Sequence, residues 1–599
     1  MFKNFVGQGY IRLKEKKVCW GRAAWVATFG FLALLLSFGL IGVSYLQAGL
    51  TPPATKTIKT PAEKNNYQAY SQYEEITLFL AQLKNLSPQL HIETIGRTLE
   101  RENYPARDLY LCLLTEEGWS RPEELAKQSP LRPTIMIIAS QHGNEQSAKE
   151  ATLRLLRDLA IGKLKPLLKK VNFLIIPQAN PYGNFFNQRR NEQNLDLNRD
   201  HVKLEAPEVE AIHQVFRKWM PEVSIDVHEK GDDYYRVSIG CVSNPNIDAR
   251  LQEFSRQVVL AEVKRDLGKK KITFHEYLVT QPMGIDSSAG VNYPPSDVSR
   301  RETMKRYSTT DLNDGRNSLG IYQTLSFIQE GASRHDLKTL AERTEWQYYG
   351  LRFFGESIAR HAQEILQMVK ETRAQVLAKA KVYSPDDVVH LRMKYARDPQ
   401  QPTLTIKQFM RSPSPIRFIL KVNKQAGEPV TIQEIEPYSF PAEYKVEEVV
   451  VKNWFPLVEP LVSIPRPLGY IIPQERFDVV ETLIRHRLKV YVLEEGGVFP
   501  VEAYQVEEVV PAEYDYLPPS KIQVVKKGLE VPVRRGDFYL PCDQVGANLI
   551  PCLLEPQSQY GFIRYWKYKL VPETGDIYPI YRVTQQVSLF LVPFKDWEE

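Results

Sequence analysis

Apolar residues in this chain fall into short continuous runs separated by amphipathic stretches, and over residues 70–380 the two alternate as strands and helices do. Tyr73–Leu86 has helical spacing, and strands follow at His91–Ile95 and Leu109–Leu114. Thr134–Ala139 (TIMIIA) is apolar and rich in β-branched residues, which suits a buried strand, and Ala148, Leu155, Leu156 and Leu159 then recur at helical spacing. Val171–Pro177 (VNFLIIP) reads as a strand buried on both faces. A helix at Ala206–Met220 follows, then a strand at Val223–Val227 ending at His228 and a run at Tyr322–Ile328 ending at Glu330. Residues 237–306 are polar and irregular, with Pro294 and Pro295, which predicts a long excursion covering the groups at these strand ends. Ala341–Ala380 is helical. The expected fold is α/β, with a mixed, largely parallel sheet flanked by helices.

Beyond about Val382 the pattern changes to short alternating strands broken by proline, such as Thr403–Ile406, Arg417–Val422 and Tyr444–Val451, which predicts a β-rich region. Pro465–Val492 is briefly α/β, with strands at Tyr470–Ile472 and Lys489–Leu493 around a helix at Phe477–Arg487. The expected divisions are a catalytic domain over 67–380, a β-rich domain over 381–460 and an α/β and β-rich domain over 461–599. A chain of 599 residues is long enough for such a series.

Charge changes the picture at the N-terminus. The formal charge of +5 equals the excess of Lys3, Arg12, Lys14, Lys16, Lys17 and Arg22 over Glu15, and residues 23–50 carry no charge. Residues 51–599 are therefore neutral and lack the basic face that nucleic acid would require. The basic segment 1–22 precedes an uncharged stretch beginning Ala23–Val43 that is long enough to cross a bilayer. The expectation is a transmembrane anchor over 23–46 with its N-terminal side cytoplasmic, a stalk over 47–66, and a body outside the cytoplasm. The alternative is secretion after signal cleavage at Leu46-Gln-Ala48. Among the cysteines, only Cys542 and Cys552 are close enough in sequence to suggest a bridge.

Candidate chemistry enters where the apolar runs end. Four of them run out into polar groups: His142 with Glu145, the Asn180-Pro-Tyr-Gly183 turn, His228, and Glu330. If the strands are parallel neighbours, these groups emerge together at one edge of the sheet. His142, Glu145 and His228 form a two-histidine, one-carboxylate set, the ligand complement of a catalytic zinc that keeps one position for water. Glu330 is the carboxylate available to carry a proton. The competing readings are a helix-start acid for Glu145 and a core histidine for His228, with Asp226 or Glu229 as its partner.

The runs His142-Gly-Asn-Glu145, Asn180–Asp200 (NPYGNFFNQRRNEQNLDLNRD), Asp226-Val-His228 and Thr324–Glu330 (TLSFIQE) resemble, in order and context, the zinc metallocarboxypeptidases related to carboxypeptidase A, over roughly Tyr70 to Arg373. Pro465–Pro473, Leu553–Pro556 and Tyr578–Arg582 are similar to the C-terminal extension of the larger bacterial members. The resemblance implies one zinc ion held by His142, Glu145 and His228, and Glu330 as general acid–base. It implies Arg189 as the oxyanion-stabilising arginine, with Arg190 second in the pair. Asn198 and Arg199 would bind the substrate's terminal carboxylate, and Tyr307, at about the right distance before Glu330, would be the family's mobile tyrosine. The implied substrate is a peptide with a free C-terminus, from cell wall or nutrient. The alternatives are an aspartoacylase-type amide deacylase, with a similar H-x-x-E…H set, and a non-catalytic receptor for C-termini.

Overall fold

The computed structural model describes residues 58–231, 233–282, 303–333, 336–409, 420–422, 432–434, 445–509 and 522–594. The expected anchor over 23–46, most of the expected stalk, and Pro294 with Pro295 lie outside the described residues. No helix among the described residues is long and apolar enough to cross a membrane. The described residues belong to one unit, Thr57–Glu599.

Eight strands form the main sheet: β1 (Leu90–Arg97), β2 (Asp108–Leu114), β3 (Thr134–Ala139), β4 (Asn172–Ile176), β5 (Val223–Gly231), β6 (Val237–Cys241), β7 (Phe274–Glu276) and β8 (Leu325–Ser333). Their spatial order is β1-β2-β4-β3-β5-β8-β6-β7. The central four, β4, β3, β5 and β8, run parallel, while β2 and β6 flank them antiparallel. Burial explains the arrangement. Every residue of β3, β4 and β8 is buried, so these strands need cover on both faces, as parallel strands do.

Alternation along β3 separates the two cores. Ile135, Ile137 and Ala139 join Leu155, Leu156 and Leu159 of α1 (Gln146–Ala160) and Phe354 of α2 (Leu340–Arg360) on one face. Met136 and Ile138 join Ile212, Val215 and Phe216 of the helix Pro207–Trp219 on the other. That second core continues without a break into Tyr470, Leu483, Phe562 and Tyr568, so the C-terminal region covers part of the sheet. Its own seven-stranded sheet includes a long hairpin, Gly497–Val509 with Ile522–Val533.

Four expectations need correction. First, β5 and β8 do not stop at His228 and Glu330: their pairing continues to Gly231 and Ser333. Second, residues 237–282 are structured, because Leu251, Phe254, Val259, Leu260, Val263 and Leu267 pack as one face of continuous helical turns from Ala249 to Lys269. Third, the end of the expected stalk is packed: Thr60 caps the turn Pro61–Lys64, and Arg157 pairs with Glu63. Fourth, Cys542 and Cys552 are free and buried. Cys552 belongs to the helix Leu549–Leu554, with its sulfur against Asn246 and His390, and it is thereby held away from a bridge.

Three buried histidines line the seam with the C-terminal region. His201 Nδ1 lies 3.0 Å from His213 Nε2, and the His486 ring stands edge-on to His213 at 5.3 Å. Burial pushes His201 and His486 down to about 4, and His213 also falls well below its ordinary value. Protons therefore bind the unfolded chain in preference. The stability these groups contribute is complete above about pH 6.5 and is lost as pH falls towards about 4. In His486→Phe, chemical unfolding between pH 7 and pH 4 should lose less stability than wild type, by on the order of 3 kcal/mol. Parallel pH profiles for the two proteins would contradict this.

Candidate active site

Strand register brings the two central groups together. Glu330 of β8 pairs directly with His228 of β5, while Ala139 at the end of β3 pairs with Val227. The turn after β3 then carries His142. Ser140 sits there in the left-handed region at φ 64°, and Gly143 has no room for a side chain, since a Cβ would lie 2.0 Å from the Gly183 backbone. The loop after β4 clamps this turn: Asn180 Nδ2 donates to the Gln141 carbonyl at 3.1 Å, and Asn184 Nδ2 to the Gly143 carbonyl at 2.7 Å.

Glu145 stands at the N-terminal boundary of α1, yet its side chain makes no capping bond. Its oxygens instead lie 2.8 Å from His142 Nδ1 and 2.8 Å from His228 Nδ1, and Oε2 also accepts from the Glu229 amide at 3.0 Å. The helix-start reading of Glu145 therefore fails. His228 does have a partner in Asp226, two residues away on the same face of β5, but the bond uses Nε2, at 2.6 Å. Glu229 is engaged elsewhere, with Ser147 and Arg343. His142 likewise points Nε2 at Asp196, at 3.0 Å.

The result is two buried imidazoles whose Nε2 atoms face carboxylates and whose Nδ1 atoms face each other at 3.0 Å, with Glu145 between. Nitrogen lone pairs and a carboxylate converging in a buried site need a proton or a cation among them. The ligand atoms of His142, Glu145 and His228 all lie within 4.8 Å of one another, and each Nε2 has the carboxylate partner that orients a ligating histidine. This donor set fits zinc. Burial pushes the Glu145 carboxyl up, but His142 and His228 outweigh it and hold it well below the usual range, in the ionised form a ligand needs. It is the only such group found among the described residues.

A cavity of about 210 Å³ opens on this set, lined by His142, Glu145, Arg189, Asn198, Arg199 and Glu330. Arg189 donates from Nε to Asp196 at 2.8 Å, and its Nη1 lies 3.1 Å from His142 Nδ1. Asn198 Oδ1 accepts from the Gly315 amide at 2.8 Å, and Arg199 Nη1 donates to the Asn198 carbonyl at 2.6 Å. Glu330 is buried, and burial with Glu145 nearby raises its carboxyl to about 7 against the opposing pull of His228. A larger cleft of about 590 Å³ lies between residues such as Asp248, Lys379 and Arg466, away from these groups.

Two expected residues stand elsewhere. Arg190 turns outward and donates to the Asn194 carbonyl at 2.8 Å. Tyr307 packs edge-on against Trp454 at 4.5 Å, because the strand Thr303–Arg306 beside it is tied to Asn453 and Phe455 of the C-terminal region. The tyrosine that does line the cavity beside Glu330 is Tyr277, whose hydroxyl the Glu330 charge and burial push above its ordinary value. Nothing in the sequence around Tyr277 signals this, since it follows β7 within the segment expected to be irregular. Asp226 and Asp196 were within reach of sequence reasoning: Asp226 by strand alternation with His228, and Asp196 by its place in the Asn180–Asp200 loop.

Fold and donor set together define an α/β protein whose sheet carries a buried site fit for zinc. Residues 76–261 match the zinc carboxypeptidase family model. Carboxypeptidase 2 of Trichophyton tonsurans is 24% identical over 477 residues, covering 77% of this chain and 78% of that protein. Carboxypeptidase 2 of Trichophyton rubrum is 25% identical over 467 residues, covering 75% and 76%. Among solved structures, a putative carboxypeptidase A from Shewanella denitrificans OS-217 aligns with 21% identity over 49% of this chain and 70% of that one, at a TM-score of 0.35. The chain thus carries a zinc carboxypeptidase domain and is a metallocarboxypeptidase, a hydrolase of peptide bonds.

Zinc content provides the direct check on the ligand set. Wild-type protein should hold one zinc per chain by elemental analysis, and His142→Ala should lose it while staying folded by circular dichroism. Stoichiometric zinc in both proteins would contradict the assignment.

Proposed function

We propose that this enzyme removes single residues from the free C-terminus of peptides, outside the cytoplasm, with one zinc ion held by His142, Glu145 and His228. One observation supports the reading above the rest. Glu330, in register with His228, shares a cavity with Arg189, Asn198 and Arg199, so a proton carrier, a cation site and two guanidinium groups converge. The zinc, when bound, would polarise the scissile carbonyl and make water nucleophilic near neutral pH.

The remaining work falls to side chains. The Glu330 carboxylate takes a proton from the attacking water and returns it to the leaving amine, tasks suited to a carboxyl poised at about 7. Tyr277, which lines the same cavity, is the hydroxyl available to orient that carboxyl. Arg189, whose Nε is tied to Asp196, presents the rest of a partly exposed guanidinium to the charge that develops on the carbonyl oxygen. Asn198 and Arg199 grip the terminal carboxylate, for which a guanidinium fork offers two parallel donors. Location follows from the basic segment 1–22, the uncharged stretch after it and the neutral body, a pattern that suits a membrane-anchored chain with its catalytic domain outside. The peptide class, from cell wall or nutrient, belongs to the same proposal.

In Glu330→Gln, zinc content should match wild type while kcat falls by about 100- to 10,000-fold, read with a chromogenic peptide. A variant that keeps most of its turnover would exclude Glu330 as the proton carrier.

A further inference from the structure

Behind His228 runs a line of buried polar side chains that this chemistry leaves unused. Asp226 Oδ2 faces His228 Nε2 at 2.6 Å and accepts from Gln141 Nε2 at 2.7 Å. Gln141 Oε1 lies 2.9 Å from His201 Nε2, and His201 Nδ1 lies 3.0 Å from His213 Nε2. His486, from the C-terminal region, closes the line edge-on to His213 and donates from Nε2 to the Val202 carbonyl at 2.8 Å. None of the six side chains is more than 2% exposed.

Chemistry gives the line one direction. A carboxylate only accepts, so the Gln141 amide must turn its NH2 to Asp226 and its oxygen to His201. His201 must then donate from Nε2, which leaves its Nδ1 to accept from His213. Reversing any member would leave a buried donor or acceptor unmet, at about 1–3 kcal/mol each. Asp226 is thereby fixed as the acceptor for His228 Nε2–H. The wall beside it is equally tight: a Cβ at Gly315 would lie 2.9 Å from Asp226 Oδ2 and 2.9 Å from Gln141 Nε2.

We propose that Gln141 and His201 are positioning residues for His228, holding Asp226 so that the ring keeps its proton on Nε2 and offers Nδ1 to the metal. The inference rests on the reading of His142, Glu145 and His228 as the zinc site. It extends that site by two side chains beyond the carboxylate. It also gives the C-terminal region a part in the site, since His486 packs the far end of the line. A carboxylate behind a ligating histidine fixes ring and tautomer. Here the carboxylate is itself oriented by Gln141, and Gln141 by His201.

The test uses the purified full-length chain, with zinc affinity read by competition against a chromophoric chelator and the absorption spectrum of the cobalt-substituted protein as reporter of ligand geometry. Gln141→Leu keeps the volume and removes both bonds; its zinc dissociation constant should rise by roughly 10–100-fold, with a shifted cobalt spectrum. His201→Phe should weaken zinc in the same direction, and His201→Gln, which can still donate to Gln141, should recover much of the loss. The His201 pair decides the matter alone if Gln141→Leu does not fold. Unchanged zinc affinity and cobalt spectra in folded Gln141→Leu or His201→Phe, whatever their melting temperatures, would overturn the positioning role and leave the zinc site standing. A wild-type chain that binds neither metal would overturn both.

Discussion

Two imidazole nitrogens held 3.0 Å apart in a buried pocket, with a carboxylate reaching both, are the constraint on which the rest of this structure depends. Such an arrangement is tolerable only if each ring has its other nitrogen satisfied and something positive sits among the three groups. Asp226 and Asp196 meet the first condition, and a zinc ion held by the three groups would meet the second. The scaffold follows from the same requirement. Four parallel strands buried on both faces fix His228 opposite Glu330, and a turn with no space at Gly143 delivers His142.

Much of this was legible in the sequence because strong patterns carry it. The runs in β3, β4, β5 and β8 announce buried strands, and the parallel order of these four makes the polar groups at their ends converge as expected. The ends themselves were misread: His228 and Glu330 lie within their strands, since backbone pairing continues for three further residues that are no longer a purely apolar run. Tyr277 escaped notice for a different reason. It reaches the cavity through long-range packing of β7 on β6, which no local periodicity records. Tyr307 shows the converse, a residue at a plausible sequence distance that tertiary ties to Asn453 and Phe455 draw elsewhere.

The C-terminal region was the least readable part, and its burial says why. Tyr470, Leu483 and Tyr568 contribute to a core begun by Met136 and Ile138, so their pattern is set by the sheet they cover as well as by the strands they belong to. Arg582, fully buried, is satisfied by Glu555 at 2.6 Å, the Pro465 carbonyl at 2.8 Å and Tyr504 at 3.0 Å, an arrangement that only the assembled region can supply. The region therefore acts on the catalytic sheet by packing, through a shared core and the histidine seam.

The central claim is that zinc, Glu330 and the two guanidinium groups in one cavity make an enzyme that reads a free C-terminus. A library of matched peptides, one set with free and one with amidated C-termini, digested by the zinc-loaded protein and read by mass spectrometry, tests it most directly. The account predicts ladders shortened one residue at a time from the free C-termini and little or no loss from the amidated set. Equal cleavage of both sets, or internal cleavage, would contradict it.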